Sequence, residues 1–216
     1  MTPHRGVPAT PSDPAKRPQG RGGLGLLGGT FNPPHVGHLV LAQEARDRLG
    51  LHRVALVPVA APPHKEAVGD PGAEVRLELC RLAVEGAEGL EVLDLEVRRG
   101  GPSYTVDTLR ALHASGSGDD LTFIAGGDMA LSLPSWREPE EILRIARLGV
   151  AERRGAVRAD IERRLLPLGA RIDFFEMPRI DVSSTDVRAR VAAGRPLRWL
   201  VPDAVLAAIE RRGLYR

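Results

Sequence analysis

From residue 24 onward, the chain alternates short apolar stretches with segments of helical periodicity. Continuous apolar runs of about six residues that end in a glycine turn are typical of buried strands, whereas apolar residues three and four apart indicate helices. We predict strands at residues 24–29, 53–59, 91–97, 121–127, 147–152 and 171–177. We predict helices at residues 36–49, 73–88 and 103–114, a short helix opened by Pro139, a helix from about Ser184, and a helix from about Pro202 to Gly213.

This alternation predicts an α/β fold, a Rossmann-like, doubly wound and mostly parallel sheet with helices on both faces. The 216 residues suffice for one domain of this kind. Ligands bind such sheets beyond the carboxyl ends of the strands. The segments with notable polar residues each follow a predicted strand, so we expect them to meet at that edge.

The first 23 residues lack the alternation and are rich in proline, glycine and arginine. We predict a disordered tail at residues 1–23 and a single domain at residues 24–216, although a wrongly assigned start codon would leave the same pattern. The tail has no apolar stretch that could act as a signal peptide. No apolar run approaches the roughly 18 residues needed to span a membrane, so we expect a cytoplasmic protein without a membrane partner.

Charge and cysteine content exclude further classes of protein. The formal net charge is +2, but the tail alone carries +3, which leaves −1 for the remaining residues. A nearly neutral domain argues against a nucleic-acid partner. The lone Cys80 excludes an internal disulfide and a cysteine-based zinc site, and we expect it to be buried in an apolar helix.

Gly23, Gly25 and Gly28 match the GxGxxG pattern of dinucleotide-binding oxidoreductases. That pattern needs a strand before the glycines and a helix that starts among them. Here a polar tail precedes the glycines, and two prolines delay the helix to about His35. We therefore expect the glycines to lie within the first strand, which argues against a dehydrogenase.

The segment GGTFNPPHVGH, residues 28–38, has the features of a phosphate site. Its two leading glycines expose backbone N–H groups, and the helix N-terminus that follows attracts anions. His35 and His38 are three residues apart and share a face, and Gly37 keeps the surface between them flat. Because nearby negative charge favours a protonated imidazole, we expect both histidines to hold phosphates, with no P-loop lysine in the chain.

The segment after the last predicted strand is a second candidate anion site. Ser183 and Asp186 fit a capping box. The same helix start carries Ser184, Thr185 and, one turn on, Arg188, whose forked guanidinium suits phosphate oxygens. A solvated surface arginine is the alternative interpretation of Arg188.

Together these segments resemble the nucleotidylyltransferase superfamily. GGTFNPPHVGH is similar to its (T/H)xGH-type signature, and the longer form with FNPPH resembles bacterial nicotinate-nucleotide adenylyltransferases. The resemblance covers about residues 24–216. It implies that ATP is bound by Gly28, Gly29, Thr30, Phe31, His35, Gly37, His38, Ser184, Thr185 and Arg188.

The resemblance also implies a site for the second substrate. It assigns nicotinate mononucleotide to Asn32, His64, Lys65, Tyr104, Thr105 and Trp136. His64 and Lys65 lie in a PPHK segment, for which a plain surface loop is the alternative. The family usually has an asparagine shortly before this segment, where this chain has Val59. Packing of Trp136 and simple capping of the helix by Ser103 or Thr105 are likewise open alternatives.

The implied reaction is adenylyl transfer from ATP to nicotinate mononucleotide, which gives nicotinate adenine dinucleotide (deamido-NAD) and pyrophosphate in NAD biosynthesis. The implied catalytic residues are His35, His38, Lys65 and Arg188. Mg²⁺ would enter with ATP rather than through a protein metal cluster, and Asp128 would face a ribose hydroxyl or that ion, or simply cap a helix.

Other functions remain open from the sequence alone. The acceptor could be nicotinamide mononucleotide or another phosphate compound, and a non-catalytic nucleotide sensor would keep the same pocket. The sequence leaves the oligomeric state open, and a homo-oligomer is compatible with it.

Overall fold

The computed structural model describes residues 22–61, 69–116, 120–152 and 157–216. Within these residues, the strands are β1 (Leu24–Gly29), β2 (Arg53–Pro58), β3 (Leu90–Val92), β4 (Leu121–Gly126), β5 (Arg147–Glu152) and β6 (Ile172–Glu176). The helices are α1 (Val36–Leu49), α2 (Ala73–Val84), α3 (Leu95–Arg99), α4 (Thr105–Ala114), α5 (Gly127–Ser132), α6 (Pro139–Ile145), α7 (Val157–Leu165), α8 (Ser184–Ala192) and α9 (Asp203–Arg212).

The six strands form one parallel sheet in the order β3-β2-β1-β4-β5-β6. The chain moves outward from β1 to β3, then returns to place β4 on the other side of β1. This reversal is the topological switch point at which doubly wound sheets bind ligands. The predicted Rossmann-like α/β fold is therefore confirmed.

Alternate side chains of each central strand enter cores on opposite faces of the sheet. In β2, Ala55 and Val57 pack into the core that α4, α6 and α7 cover. Val54 and Leu56 pack into the core that α1 and α2 cover. Helices α8 and α9 then pack on α2. Burial on both faces explains why the strands read as continuous apolar runs instead of alternating ones.

The predicted strand at residues 91–97 is wrong beyond Val92. The strand ends there, and α3 begins at Leu95. The carboxylate of Asp94 pairs with Arg98 at 2.9 Å, one helical turn away, and Gly100, at φ 68°, ends the helix. Alternating apolar residues mimicked a strand, but this local ion pair and the glycine favour one helical turn.

Other boundaries differ by smaller amounts. Helix α2 ends at Val84 rather than at residue 88, and α4 begins at Thr105 rather than at residue 103. Helices α5 and α7 were not predicted. Residues 1–21 of the predicted tail lie outside the described residues, while Gly22 and Gly23 are included and the Gly23 carbonyl accepts a hydrogen bond from the His52 N–H.

The GxGxxG glycines serve packing. Gly25 lies inside β1, where a Cβ atom would come within 2.8 Å of the side chains of Ile124 and Leu51. Helix α1 begins only at Val36, after the glycines. This arrangement differs from a dinucleotide fingerprint, in which a helix starts among the glycines.

Cys80 is buried in α2, as expected, and burial raises the pKa of its thiol to about 12. No helix in the described part of the chain is both long and apolar enough to cross a membrane.

Candidate active site

The loop between β1 and α1 lies at the switch point of the sheet. Gly28 and Gly29 are the last residues of β1, and Thr30 follows them. A Cβ atom on Gly29 would come within 3.0 Å of the ring of Phe31, so this position has no room for a side chain. The loop is therefore held close to the sheet edge, with the start of α1 directly after it.

His35 and His38 form a stacked pair at the start of α1. Their ring centroids are 3.7 Å apart, with an interplanar angle of 28°. The ring of Phe31 packs edge-on against His38, at 4.9 Å. A Cβ atom on Gly37 would lie 3.0 Å from Nδ1 of His35. A side chain at this position would therefore crowd the His35 ring.

The hydrogen bonds of His38 define its tautomer. The backbone N–H of His35 donates to Nδ1 of His38, at 3.2 Å. Because Nδ1 accepts this bond, the ring proton of the neutral imidazole is on Nε2. His38 can then donate through Nε2 without carrying a charge.

Burial favours the neutral form of both histidines, whereas the protonated form expected from the sequence depends on the negative charge of a bound triphosphate. Desolvation lowers the pKa of His35 to about 4 and that of His38 to about 3, although Asp186 raises the pKa of His35 slightly. The stacked His35 ring further lowers the pKa of His38 because a second charge beside it would be repelled.

We expect these depressed pKa values to destabilise the protein as the pH falls from 7 to 5. The unfolded chain takes up protons on both histidines below its pKa of about 6.5, while the folded chain does not until about pH 4, so the free energy of unfolding rises with pH across this window. Each histidine contributes a slope of up to about 1.4 kcal/mol per pH unit. Urea unfolding at several pH values measures this slope.

The control for this prediction is His113, an exposed histidine in the last turn of α4. His38→Gln should flatten the dependence on pH, and His113→Gln should leave it unchanged. Equal slopes for the wild-type protein and His38→Gln would contradict the assignment of a buried neutral His38.

The start of α8 lies against the β1–α1 loop, so the structure brings the two predicted phosphate segments together. The hydroxyl of Ser184 donates to the Pro33 carbonyl at 2.8 Å. Nη1 of Arg188 donates to the Asn32 carbonyl at 2.7 Å, and Nη2 donates to the Thr185 hydroxyl at 3.3 Å. The bonds to the Pro33 and Asn32 carbonyls join residues more than 150 positions apart in the sequence.

Ser183 caps α8, as its sequence pattern predicted. Its hydroxyl accepts a hydrogen bond from the Asp186 N–H at 3.1 Å and lies 2.6 Å from the Asp186 carboxylate. Ser184, Thr185 and Arg188 therefore lie in the first turns of a well-formed helix, whose N-terminal N–H groups favour an anion.

A cavity of about 340 Å³ opens on the other side of β1. Its wall includes Gly28, Gly29 and Thr30 from the loop, so it adjoins the phosphate segments. The remaining wall is mainly apolar and aromatic, as in small-molecule sites. It includes Tyr104, Thr105 and Trp136, to which the family resemblance assigned a pyridine nucleotide. It also includes Val57, Val59, Glu96, Ser103, Thr108, Phe123, Met129 and Arg137.

Aromatic and charged contacts fix the wall of this cavity. Trp136 is half-buried, packs edge-on against Phe123 at 5.8 Å, and donates from Nε1 to the Ser132 hydroxyl. The guanidinium of Arg137 lies 4.8 Å from the centre of the Tyr104 ring. A planar ligand ring could therefore stack on aromatic surfaces that already have defined orientations.

Ser103 links the segment before α4 to the end of the β2 loop by hydrogen bonds, and it does not cap the helix. Its hydroxyl accepts a hydrogen bond from the Ala60 N–H at 2.9 Å, and its N–H donates to the Ala61 carbonyl. Tyr104 is the N-cap residue, without a side-chain capping bond. The backbone N–H groups at this helix start are consequently not taken by a serine or threonine cap.

Arg76 joins the loops on the two sides of the site. It is fully buried in α2. Its guanidinium donates to the carbonyls of Thr30, Val59 and Ala60, and it pairs with Asp70 at 2.9 Å. A single side chain thus connects the exit of β1 to the exit of β2.

The cavity wall does not include Phe31, Asn32 or Asp128, and it also excludes the histidines and the assigned residues of α8. The Phe31 side chain is buried in the core beneath His38. Asn32 is buried outside the cavity lining, and its Oδ1 has no hydrogen-bond partner within the described residues. Asp128 lies in the first turn of α5 and lines a separate cavity of about 230 Å³ at the ends of β4 and β5. It is not the N-cap residue, which is Gly126.

The predicted contributions of His64 and Lys65 fall on residues outside the described ranges. Across the described ranges, no group of three histidine, cysteine, aspartate or glutamate side chains is arranged to hold a metal ion.

Sequence reasoning missed Arg76, Glu96 and Arg137. Arg76 had a usable signal, since it is one turn before Cys80 and shares its apolar helical face. Glu96 was concealed by the wrong strand assignment. Arg137 directly follows Trp136, but its contact with the Tyr104 ring depends on tertiary structure.

Comparisons with known proteins agree with this geometry. Residues 26–190 match the cytidylyltransferase-like family model. A probable nicotinate-nucleotide adenylyltransferase of Roseiflexus sp. (strain RS-1) is 45% identical over 195 residues, covering 89% of this chain and 98% of the relative. A probable enzyme of the same name from Exiguobacterium sibiricum is 41% identical, with the same coverage.

Solved structures show the same fold. Plasmodium falciparum nicotinic acid mononucleotide adenylyltransferase complexed with NaAD superposes with a TM-score of 0.73 at 16% identity, covering 89% of this chain and 96% of that one. A putative nicotinate-nucleotide adenylyltransferase from Vibrio parahaemolyticus gives a TM-score of 0.63 at 18% identity, covering 89% and 94%.

The doubly wound sheet and the paired phosphate segments define a nucleotidyltransferase of the cytidylyltransferase-like class. Within that class, the chain belongs to the nicotinate-nucleotide adenylyltransferase family.

Proposed function

We propose that the protein transfers the adenylyl group of ATP to nicotinate mononucleotide, forming deamido-NAD and pyrophosphate. This proposal is supported mainly by the wall that the aromatic cavity shares with the first phosphate segment. Gly28, Gly29 and Thr30 line the aromatic cavity and also lead into the loop that bears His35 and His38. An acceptor in the cavity and a triphosphate at the loop would therefore meet at the end of β1.

The proposed reaction is an in-line displacement at the α-phosphorus. A phosphate oxygen of nicotinate mononucleotide forms the new P–O bond, while the bond from the α-phosphorus to the bridging oxygen of pyrophosphate breaks. The attacking oxygen is already anionic, so no general base is required. Catalysis then depends on positioning and on donors aimed at the developing charge.

Three groups of the chain would supply those donors. Nε2–H of His38 lies on the opposite side of the ring from Nδ1, which accepts the His35 N–H. The N-termini of α1 and α8 would add the anion preference common to helix starts. Arg188 has N–H groups beyond the two that bind Asn32 and Thr185. We assign Ser184 and Thr185 to the same triphosphate, and His64 and Lys65 to the acceptor phosphate.

Mg²⁺ belongs to this proposal as part of the ATP complex. The described residues offer no set of three ligands, which does not fit a metal held by the protein alone. The phosphates themselves would hold the ion. Asp128, exposed at the start of α5, is the carboxylate that we assign to a ribose hydroxyl or to the waters of the ion.

We expect Arg188→Ala to lower kcat/KM for ATP by about 100-fold, because it removes a charged donor and a bond that fixes the Asn32 carbonyl. Steady-state kinetics with varied ATP measures the effect. Arg190→Ala is the matched control. Arg190 lies on the same helix, but its guanidinium donates to the Pro196 carbonyl, which follows the C-terminal end of α8. Equal losses in the two variants would contradict a specific role for Arg188.

The function is tested by pyrophosphate release from ATP with nicotinate mononucleotide and nicotinamide mononucleotide in parallel. With ATP alone, we expect negligible release of pyrophosphate. With an acceptor present, we expect pyrophosphate release to be faster with nicotinate mononucleotide than with nicotinamide mononucleotide. A carboxylate on the ring suits the free N–H groups at the start of α4. No release with nicotinate mononucleotide would refute the proposed reaction.

A further inference from the structure

The aromatic cavity contains an acidic side chain that the proposed reaction does not use. Glu96 lies on α3, lines the cavity and is only 6% exposed. Its Oε1 accepts a 2.7 Å hydrogen bond from the Thr108 hydroxyl. Its Oε2 is buried with no hydrogen-bond partner in the described part of the chain.

No cation among the described residues forms a direct ion pair with Glu96, whose link to Arg99 runs through the Thr108 hydroxyl. Arg99 reaches the Thr108 hydroxyl at 3.4 Å and forms no ion pair with the carboxylate. Arg137, the other arginine at the cavity, lies near Asp107 and Glu138 instead. A buried carboxylate without a counter-charge is costly, and such groups are retained mainly where a ligand completes them.

Apart from Arg137, the other polar side chains on the cavity wall are uncharged, so they supply no counter-charge for Glu96. The exposed surface of the wall is mainly apolar and aromatic, with Leu26, Val57, Phe123 and Trp136 among the lining residues. In such surroundings the attraction between opposite charges acts over several ångströms and does not need direct contact. A ligand with a buried positive charge would therefore be stabilised, even if Oε2 accepted no hydrogen bond from it.

We propose that Glu96 is the specificity residue for the positively charged pyridinium ring of the acceptor nucleotide. The ring nitrogen of nicotinate mononucleotide is bonded to ribose and carries a permanent positive charge, which supplies the counter-charge that Glu96 lacks. This inference rests on the proposed function. It concerns the ring nitrogen, while the carboxylate of nicotinate is assigned separately to the N–H groups at the start of α4.

The proposal separates two roles that Glu96 could play. As a structural anchor, Glu96 would act through its bond to Thr108, which ties α3 to α4. As a counter-charge, it would act through the carboxylate itself. Glu96→Gln keeps a hydrogen-bond acceptor and the side-chain size while it removes the charge, whereas Thr108→Val removes the bond and keeps the charge.

The measurement compares binding of nicotinate mononucleotide with that of its 1,4-dihydro form, whose ring is neutral, by calorimetry with each protein. We expect the wild-type protein to bind the charged ring about tenfold more tightly or better. Glu96→Gln should lose most of this preference with an unchanged KM for ATP, and Glu96→Asp and Thr108→Val should keep it.

Several results would overturn the proposal. Equal binding of the two ring forms by the wild-type protein would do so without any variant. If Glu96→Gln still preferred the charged ring, the preference would arise from stacking on Trp136. If Thr108→Val lost the preference for the charged ring, Glu96 would have a structural role. Pyrophosphate release by the wild-type protein shows separately that the proposed reaction holds, so failure of this inference is distinguishable from failure of the function.

Discussion

Replacing His38 with alanine is expected to lower kcat by roughly 100- to 1,000-fold, because one preorganised donor to a developing oxyanion contributes about 3–4 kcal/mol. The structure explains why His38 is so well placed. Its ring is fixed by the His35 N–H, the stacked His35 ring and the edge of Phe31. A donor held on three sides does not need to reorganise during the reaction.

The measurement is steady-state kcat with saturating substrates, together with a melting curve to show that the fold is intact. His113→Ala removes an exposed histidine of α4 and should leave kcat unchanged within about twofold. A fall of less than about tenfold in folded His38→Ala would contradict the donor role assigned to His38.

Replacing Arg76 with methionine should reduce the free energy of unfolding by about 3–5 kcal/mol. The substitution removes a fully buried guanidinium and leaves the carbonyls of Thr30, Val59 and Ala60 without their donor. It also removes the ion-pair partner of Asp70, which among the described residues keeps only its hydrogen bond from the Gly72 N–H. Urea unfolding measures the loss, and residual activity should fall further than stability alone explains because both loops of the site move.

Arg81→Met is the matched control for this prediction. Arg81 lies on the same helix, is 58% exposed and pairs with Asp94 at 3.0 Å. Exposed ion pairs contribute at most about 1 kcal/mol, so this variant should be nearly as stable as the wild-type protein. Similar stability of Arg76→Met and the wild-type protein would show that the loop carbonyls do not depend on Arg76.

The sheet was predictable from the sequence because its strands are buried on both faces. Short continuous apolar runs that end at a glycine or proline favour such strands, because buried helices are usually longer. The short β3 was the exception. Its three residues are too few for a periodic signal, and the alternation that followed belonged to α3. Leu95 and Val97 therefore alternate with polar residues although they belong to a short helix.

The residues of the site were predictable to the extent that motifs mark them. Tyr104, Thr105 and Trp136 are brought together in one cavity, as the resemblance implied. The protonation of the histidines was not predictable, because it depends on burial and on the Nδ1 hydrogen bond. From the sequence, the only visible influence on the histidine pKa values was the negative charge of a ligand, which raises them. Desolvation lowers the same pKa values.

Arg76 and Glu96 show a different limit. Each is a charged residue whose role arises from a loop or cavity assembled from distant segments. Arg76 binds carbonyls 16 to 46 positions away, and Glu96 lines a cavity whose other walls come from β1, β2, β4, α4, α5 and α6. Local sequence patterns report which face of a helix is buried, but not what lies opposite that face.

The central claim is that one chain holds the acceptor ring and the ATP phosphates on the two sides of Gly28–Thr30. A crystal structure with deamido-NAD bound tests it most directly. The account predicts the pyridine ring against Trp136 in the 340 Å³ cavity and the linking phosphates between His38 and Arg188. A ring bound outside that cavity, or phosphates remote from both His38 and Arg188, would contradict it.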